Sequence, residues 1–249
     1  MKKSVVYAGN RTVYPDMVTA AKSLLMHNKV DDVYFLIEDD KFPYYIPDVI
    51  KTINVKNQKW FPSDSPNIKT RFSYIVLMRA VLSEIFPDLD KILSLDIDTI
   101  VLGDITSLWE LPLDNYYFAA VEEPTSRKGG TNKKDPIFYE NQNEYYNVGV
   151  TLYNLKKLRD GTTMKGVKLL NERAWYSVEQ DTFNIVCGGK ILKIPSDYNV
   201  CNYWTAPTVN PLIAHFAGDP LDQWRKEIIV KYFERFSWEK IMEENSKLS

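Results

Sequence analysis

K-I-L-S-L-D-I-D-T-I-V-L-G-D, residues 91–104, is an apolar stretch interrupted by two aspartates. Side chains alternate along an extended strand, so this spacing places Ser94, Asp96 and Asp98 on one face and the apolar residues on the other. Aspartate is rare in strands, and two carboxylates one repeat apart repel each other. The stretch therefore predicts a strand whose polar face either meets water or carries a cation.

Short apolar runs before this stretch alternate with a helical pattern. Residues 4–8, 33–37 and 52–55 are typical of buried strands, and 15–27 carries apolar residues at helical spacing. Strand, helix and strand in this order are typical of a parallel sheet with crossover helices. The pattern therefore predicts the α/β fold class.

The rest of the chain continues the alternation. It is predicted to contain a helix over 73–86, strands over 117–121, 146–153 and 190–194, helical segments over 155–186 with a break near Gly161, an apolar run over 212–216 and a helical tail over 220–247. Residues 125–143 lack hydrophobic periodicity, which suits either a lid or binding loop or a solvated surface loop. The sequence shows neither a repeat nor a linker, so a single domain over 1–249 is predicted.

The composition excludes several classes of protein. The formal net charge of -2 gives no reason to expect a nucleic-acid partner. Cys187 and Cys201 are the only cysteines, too few for a disulfide framework. The N-terminal apolar run is too short for a secretory signal, and no run reaches the roughly eighteen apolar residues of a membrane span. We therefore expect a cytoplasmic protein.

Several common catalytic motifs are missing from the sequence. A G-x-G-x-x-G does not follow the first strand, and neither a P-loop nor a G-x-S-x-G elbow occurs. The two cysteines do not have the spacing of zinc ligands. A nicotinamide dehydrogenase, a P-loop ATPase and a standard hydrolase triad are therefore disfavoured.

The D-x-D motif formed by Asp96 and Asp98 is the strongest remaining signal. It lies at the carboxyl end of a predicted parallel strand, where open α/β sheets bind their ligands. Two carboxylates favour Mg²⁺ or Mn²⁺, which would bridge to phosphates of a ligand. His215 ends the apolar run 212–216, and an imidazole beside the carboxylates shifts the preference toward Mn²⁺. On its own, His215 would more often be a core histidine than a metal ligand.

Four segments occur in a fixed order between Arg79 and Gly218. They are M-R-A-V-L-S-E-I-F-P-D-L-D-K-I-L-S-L-D-I-D-T-I-V-L-G-D-I, Y-Y-N-V-G-V-T-L-Y-N-L, E-Q-D-T-F-N and H-F-A-G. Together they resemble the ordered motifs of glycosyltransferase family 8, and Y-A-G-N with A-A-K-S-L-L extends the similarity to the N-terminus. The resemblance thus covers most of the chain.

The resemblance implies a GT-A (Rossmann-like) fold, with a mixed, mostly parallel central sheet flanked by helices. Residues 1–100 would form the nucleotide-binding half, 101–219 the acceptor and donor-sugar half, and 220–249 a C-terminal helical tail. It also implies a UDP-sugar donor, Mn²⁺ as the cofactor with Mg²⁺ as the alternative, and retention of anomeric configuration.

The resemblance assigns three groups of site residues by position. The metal ligands would be Asp96, Asp98 and His215. The nucleotide-sugar would be bound by Tyr7, Ala8, Asn10, Arg79, Asp96, Ile97, Asp98 and Gly218. The transferred sugar and the reacting face would be lined by Gln180, Asp181, Asn147 and Glu123.

Two positions depart from the family pattern. Asn10 stands where the family commonly has aspartate. The family ending H-x-x-G-x-x-K-P-W is replaced by H-F-A-G-D-P-L-D-Q-W, so the lysine that would contact the diphosphate is missing. Arg225, Lys226 or a basic residue of 127–134 would have to replace it.

The predicted function is metal-dependent, retaining transfer of a hexose, glucose or galactose, from a UDP-sugar to a hydroxyl of a glycan, glycolipid or glycoprotein. Gln180 is a poor nucleophile, which favours attack on the face that UDP leaves over a covalent intermediate. Two alternatives stay open: a nucleotide-sugar-binding protein with weak or lost catalysis, and a sugar nucleotidyltransferase. The second is disfavoured because a Gly-rich, basic loop after the first strand is missing.

The C-terminal tail carries both basic and acidic residues beside its aromatics. Weak contact with the inner face of a membrane through this tail is one interpretation of the pattern. The glutamates dilute the positive charge, so a helix that packs on the domain is preferred.

Overall fold

The computed structural model describes residues 2–70, 73–123, 144–201, 210–217 and 224–248. Within these ranges the strands form one seven-stranded and one three-stranded sheet. In chain order they are β1 Ser4–Ala8, β2 Asp32–Ile37, β3 Ile50–Asn54, β4 Lys91–Leu95, β5 Thr99–Val101, β6 Phe118–Glu122, β7 Tyr146–Asn154, β8 Ile191–Lys193, β9 Val200–Cys201 and β10 Ile213–His215.

The large sheet has the strand order β3-β2-β1-β4-β7-β6-β8. The pairs β3/β2, β2/β1, β1/β4 and β6/β8 are parallel, whereas β7 is antiparallel to both of its neighbours. The predicted α/β class with a mixed, mostly parallel sheet is confirmed. The chain runs outward from β1 to β3 and then returns to β4 on the other side of β1, which creates a crevice at the carboxyl ends of β1 and β4.

The small sheet lies against this crevice. Its central strand β10 is antiparallel to β5 and parallel to β9. In this register His215 lies opposite Thr99 on one side and Cys201 on the other. The small sheet therefore brings a C-terminal strand to the segment that follows β4.

Helices cover both faces of the large sheet. The α-helices are α1 Tyr14–His27, α2 Leu82–Ile85, α3 Leu155–Leu158, α4 Thr162–Glu172, α5 Val178–Val186, α6 Ile228–Glu234 and α7 Trp238–Ser246, and the 3-10 helices are Arg11–Val13, Tyr74–Val81, Thr106–Glu110 and Ser196–Tyr198. α1, α6 and α7 pack in one buried apolar cluster, and the Tyr74–Val81 helix and α2–α5 pack in a second one.

The predicted strand over 91–104 is wrong as a single element. β4 ends at Leu95, and β5 begins at Thr99 in the other sheet. The backbone turns between them, because Thr99 donates from its N–H and its hydroxyl to the carbonyl oxygen of Asp96, at 3.2 and 2.7 Å. Asp96 and Asp98 therefore lie in a turn and not on the face of a strand, where their charges would have met neighbouring strands.

The predicted helices differ from the structure in two places. Residues 73–86 form the 3-10 helix Tyr74–Val81 followed by α2. A 3-10 helix rises about 2.0 Å per residue, so it carries Arg79 further along the sheet than an α-helix would. The break at Gly161 is confirmed, with φ of 101°. A second break follows α4, where Asn67 accepts a hydrogen bond from the N–H of Trp175 at 2.9 Å. Such a contact between distant segments is invisible to helical periodicity.

The predicted tail is two helices, α6 and α7, which pack against α1. Trp224, Phe233 and Trp238 are buried in the same apolar cluster as α1. Among the described residues, no helix combines the length and the apolar character needed to cross a membrane.

Candidate metal and nucleotide-sugar site

The turn that follows β4 is fixed to both sheets by its backbone. The N–H of Asp96 donates to the carbonyl oxygen of Gly149 on β7 at 2.7 Å. The N–H of Phe216, just after β10, donates to the carbonyl oxygen of Asp98 at 2.9 Å. Each aspartate is therefore held by a different sheet, and both carboxylates face the crevice with 28% and 21% of their side-chain surface exposed.

His215 brings an imidazole to the same point. Its Nε2 lies 3.3 Å from Asp98 Oδ1 and 3.5 Å from Asp96 Oδ2. This nitrogen is buried and makes no well-formed hydrogen bond among the described residues. One ligand atom from each of the three side chains lies within 4.8 Å of the other two. A buried imidazole nitrogen beside two carboxylates is a donor set that fits a divalent cation.

Gly149 makes room for this arrangement. A Cβ at this position would lie 2.2 Å from His215 Cε1 and 2.9 Å from Asp96 Oδ2. Any side chain there would displace the imidazole or the carboxylate. The glycine of the N-V-G-V segment was not singled out in the sequence, although a glycine inside a buried strand signals a close approach of this kind.

The charges around the turn stabilise one another. Burial disfavours the imidazolium of His215, but Cys201, Asp98 and Asp96 outweigh burial and raise the pKa of His215 well above 6.5. Burial of Asp96 opposes ionisation, yet Arg79 and His215 lower its pKa to about 2. Asp96 is therefore a carboxylate at any physiological pH, as a metal ligand must be.

Arg79 is buried between two carboxylates. Its guanidinium forms ion pairs with Asp96 and with Glu179, which lies in the first turn of α5. Burial opposes the charge of Arg79, but Asp96 and Glu179 keep its pKa above the ordinary value. Burial also dominates at Glu179 and raises its pKa to about 6 despite the attraction of Arg79. The sequence placed Arg79 beside the nucleotide-sugar but did not identify Glu179 as its partner.

The structure brings together three of the residues assigned to the sugar. Asn147 Nδ2 donates to Glu123 Oε1 at 3.0 Å, and Gln180 Nε2 lies 3.4 Å from the same oxygen. Gln180 Nε2 also donates to the hydroxyl of Tyr145 at 3.0 Å. These side chains come from β7, α5 and the ends of the segment between β6 and β7, so they line one side of the crevice.

Asp181 lies apart from this set. It is fully buried, and it accepts hydrogen bonds from the hydroxyl of Tyr145 at 2.5 Å and from the N–H of Ser177 at 3.0 Å. Tyr145 thus links Asp181 to Gln180. The sequence did not identify Tyr145, because its contact depends on the packing of α5 against β7.

The side chains of Tyr7 and Asn10, which the resemblance assigned to the nucleotide, are engaged in contacts within the protein. The ring of Tyr7 is buried edge-to-face against Phe35, and its hydroxyl has no partner among the described residues. Asn10 accepts hydrogen bonds from the N–H and hydroxyl of Thr12, at 3.1 and 2.7 Å, and so begins the first 3-10 helix. Ala8 follows at the end of β1, where its backbone reaches the crevice.

Ile97 separates the two aspartates, and its half-buried side chain packs against the apolar core. Gly218 and the loop 127–134 lie outside the described residues. Arg225, one candidate for the missing lysine, is committed to Asp16 by hydrogen bonds of 3.1 and 2.7 Å. This ion pair joins the C-terminal segment to α1, and Arg225 also donates to the carbonyl oxygen of Thr12 at 3.1 Å.

The mixed sheet, whose central strand β4 leads into the aspartate pair, matches solved glycosyltransferases of the GT-A fold. The galactosyltransferase LgtC, solved with donor and acceptor sugar analogues, superposes with a TM-score of 0.72 at 21% identity and covers 99% of this chain and 96% of that one. The glycosyltransferase GlyE of Streptococcus pneumoniae TIGR4 gives a TM-score of 0.69 at 22% identity, covering 98% of this chain and 63% of that one. These similarities confirm the GT-A fold.

The profile described as Glycosyl transferase family 8 matches residues 4–228. The chain therefore belongs to glycosyltransferase family 8. The lipopolysaccharide 1,2-glucosyltransferase of Escherichia coli K12 is 31% identical over 165 residues, 58% of this chain and 48% of that protein. GlyE of Streptococcus pneumoniae serotype 4 is 27% identical over 213 residues, 80% of this chain and 48% of that protein. The chain spans about half the length of these curated relatives.

Proposed function

We propose that this protein transfers a hexose, glucose or galactose, from a UDP-sugar to a hydroxyl group, with retention of configuration and with Mn²⁺ as its metal. The observation that carries the proposal is the convergence of Asp96, Asp98 and His215 from two sheets, with Arg79 ion-paired to the first of them. Membership of the family and the name of the Escherichia coli glucosyltransferase support hexose as the transferred group.

The proposed roles at the diphosphate end follow from charge. Mn²⁺, or Mg²⁺ in its place, would be held by Asp96, Asp98 and His215 and would supply neutralisation of the charge that grows on the UDP leaving group. Arg79 holds Asp96 in position. The ion pair with Glu179 restricts the guanidinium, so Arg79 is oriented before the donor binds.

The proposed roles at the sugar end follow from hydrogen bonding. Glu123, Asn147 and Gln180 would orient the hexose hydroxyls and the anomeric carbon. A glutamine amide is a poor nucleophile, so we expect the acceptor hydroxyl to attack from the face that UDP leaves. Asp181 is assigned a positioning role through Tyr145, because it is buried behind Gln180.

Nucleotide contacts would come from Tyr7, Ala8, Asn10 and Ile97 at the end of β1 and in the aspartate turn, together with Gly218. The buried ring of Tyr7 leaves its backbone as the contacting part. We propose that residues 1–249 form one domain. Its nucleotide-binding half, its acceptor and donor-sugar half and its C-terminal tail are those that the family resemblance implies.

Turnover of nucleotide-sugars is the direct test. UDP-glucose and UDP-galactose would each be incubated with Mn²⁺, with Mg²⁺ or with EDTA, and released UDP would be measured. We expect slow, metal-dependent hydrolysis of one donor, accelerated by glycan, glycolipid or glycoprotein acceptors. Equal UDP release in EDTA would contradict the metal assignment, and pyrophosphate release from a nucleoside triphosphate would favour a nucleotidyltransferase.

A binding protein with weak or lost catalysis is the second candidate. The commitment of Arg225 to Asp16 favours it, because that arginine then does not replace the lysine missing from the family ending. Isothermal titration with UDP-glucose and Mn²⁺ separates the two functions. Tight binding without turnover, in the presence of every acceptor class, would support the binding protein.

Membrane contact through α6 and α7 is a weaker proposal. Ile228 is 86% exposed and Tyr232 is 39% exposed, so an apolar edge of α6 faces away from the domain. A lipid-linked acceptor would be reached from such a position. Flotation with anionic liposomes tests it, and failure to co-migrate would remove the membrane contact without affecting the catalytic proposal.

A further inference from the structure

The side-chain amide of Asn147 has a fixed orientation. The backbone N–H of Gly149 donates to Asn147 Oδ1 at 2.9 Å. A backbone N–H can only donate, so the atom it meets must be the amide oxygen and not the nitrogen. The nitrogen then faces Glu123 Oε1 at 3.0 Å, where a carboxylate can only accept. Both contacts select the same orientation.

This orientation determines the orientation of Asn199. Asn199 is fully buried, and one of its amide atoms lies 2.8 Å from Asn147 Oδ1. Because Asn147 Oδ1 is an acceptor, the facing atom must be Nδ2 of Asn199. The other atom, Oδ1 of Asn199, lies 2.8 Å from Nδ1 of His215.

The orientation of Asn199 in turn determines where His215 carries its proton. An amide oxygen accepts and cannot donate, so a hydrogen bond of this length requires a proton on Nδ1. In the neutral imidazole the lone pair is then on Nε2, the nitrogen that faces Asp96 and Asp98. The thiol of Cys201 lies 3.4 Å from Nδ1 and 3.7 Å from Asn199 Oδ1. Its S–H is a weak donor that can turn to the amide oxygen, and the short contact between that oxygen and Nδ1 still requires the proton on Nδ1.

We propose that Asn199 is a positioning residue that fixes His215 in its metal-binding tautomer. The amide relay is the chain of hydrogen bonds that joins the Gly149 N–H, Asn147, Asn199 and His215. It transmits this orientation from the backbone of β7 to the metal site. Asn147 also donates to Glu123, so the relay joins the sugar side of the crevice to the metal side. The inference rests on the proposed metal site.

Burial makes the wrong orientation of either amide in the relay costly. Asn199 is fully buried and Asn147 is 5% exposed, so water does not replace a lost partner. A flipped amide at either position would place oxygen against oxygen and leave a buried donor unsatisfied, which costs about 1–3 kcal/mol. Partners of this kind that orient a metal-binding histidine typically change metal affinity by roughly 10- to 100-fold when removed.

The test measures the binding of Mn²⁺ alone, without nucleotide-sugar. The EPR signal of the unbound ion reports how much Mn²⁺ remains free. Asn199→Leu keeps the approximate side-chain volume and removes both relay contacts. We expect its dissociation constant for Mn²⁺ to rise by roughly 10- to 100-fold. Asn28→Leu is the matched control, since Asn28 is 1% exposed and also bridges two segments, accepting from the N–H of Ile105 at 2.8 Å and donating to Gly103 at 3.0 Å.

The outcomes separate the relay from the metal site. Wild-type protein that binds no Mn²⁺ would overturn the metal site itself. Wild-type binding with unchanged affinity in Asn199→Leu would overturn the relay alone. Equal weakening in Asn199→Leu and Asn28→Leu would also overturn it, because the effect would then reflect the general loss of a buried amide.

A spectroscopic readout tests the proton position directly. The chain contains two histidines, His27 and His215, so the imidazole ¹⁵N spectrum is simple, and His27→Gln assigns it. In metal-free wild-type protein, at a pH where the His215 ring is neutral, we expect a protonated Nδ1 and an unprotonated Nε2. A deprotonated Nδ1 would contradict the orientation of Asn199 and so the relay.

Discussion

The absence of a Cβ at Gly149 is as important to the candidate site as the side chains around it. It allows His215 and Asp96 to approach β7 within distances that any Cβ would prevent. The same backbone anchors the aspartate turn through its carbonyl oxygen and the amide of Asn147 through its N–H. One residue thus sets the position of two side chains and the orientation of a third.

Gly149→Ala should weaken metal binding while the fold is retained. The new methyl group would lie 2.2 Å from His215 Cε1, so the imidazole must move away from the carboxylates. We expect affinity for Mn²⁺ to fall by at least about 10-fold, as measured by EPR. Gly166→Ala is the control, because its Cβ would meet nothing nearer than Val186 Cγ2 at 3.9 Å. Unchanged Mn²⁺ affinity in Gly149→Ala would contradict the geometry of the site.

Asn147→Asp should affect the metal side and the sugar side of the crevice differently. A carboxylate still accepts from the N–H of Gly149 and from Nδ2 of Asn199, so Mn²⁺ affinity should stay within about 3-fold of wild type. The other oxygen would face Glu123, and two carboxylates in contact repel each other. We expect turnover of the donor to fall by at least about 10-fold, which corresponds to about 1.4 kcal/mol. Loss of Mn²⁺ binding with normal turnover would reverse the assignment.

The residues that the sequence identified differ in kind from those it missed. Asp96, Asp98 and His215 were found because each carries a rare chemistry at the end of an apolar run. Glu179, Tyr145, Asn199 and Gly149 act through partners far away in the chain, and a single sequence does not contain those pairings. Asn10 and Tyr7 show the reverse case, because the motif pointed to their segment while the structure shows that their side chains cap a helix and fill the core.

At the scale of elements, the end of β4 decides the geometry of the site. Alternation along 91–104 predicted one strand, but a strand cannot place both aspartates at one point and also connect two sheets. The boundaries of β1, α1 and β7 were predicted to within about a residue, because their apolar patterns are long and regular. The 3-10 helix Tyr74–Val81 was not predicted, since its apolar residues suit an α-helix equally well.

The start of β2 should give the protein a pH-dependent stability. Burial of Asp32 opposes its ionisation, but Lys2, Lys51 and Tyr34 outweigh burial and lower its pKa below 3.8. A lowered carboxyl pKa means that the ionised group stabilises the folded state above 3.8 and that this stabilisation is lost as the pH falls through the folded pKa. Urea denaturation of Asp32→Asn should therefore show a large loss of stability at neutral pH and a small loss in strong acid.

Lys51→Gln serves as the partial variant for this prediction. It removes one of the two ammonium partners of Asp32 and leaves Lys2 in place. Its loss of stability should be smaller than that of Asp32→Asn and should fade over the same acidic range. A loss that is equal at neutral and acidic pH in both variants would show that packing, and not charge, dominates at this position.

At the scale of the whole molecule, buried polar contacts hold the C-terminal segment, residues 224–248, against α1. Asp16 is 2% exposed and accepts from Trp224 Nε1 at 3.0 Å as well as from Arg225. Asn245 donates to the carbonyl oxygens of Leu25 and Asn28, at 2.7 and 2.9 Å. The segment therefore belongs to the core of the domain on this side of the sheet.

Asp16→Ala should loosen this attachment. It leaves the buried Trp224 N–H without its acceptor, which costs about 1–3 kcal/mol of unfolding free energy. Asp16→Asn keeps an acceptor and should lose less. Urea denaturation measures the cost, and limited proteolysis should release the segment that contains α6 and α7 faster in Asp16→Ala. Equal proteolysis of both variants and wild type would show that the apolar contacts alone hold the segment.

The division of the aspartate turn and His215 between two sheets has a consequence for the order of events during synthesis. The large sheet contains β1 to β4, which emerge early from the ribosome, whereas β10 emerges far later and completes the small sheet. Contacts between such distant segments form slowly, because a long loop must close first. A nascent chain would therefore carry the two carboxylates without the imidazole, and strong capture of a metal ion would wait until β10 has docked.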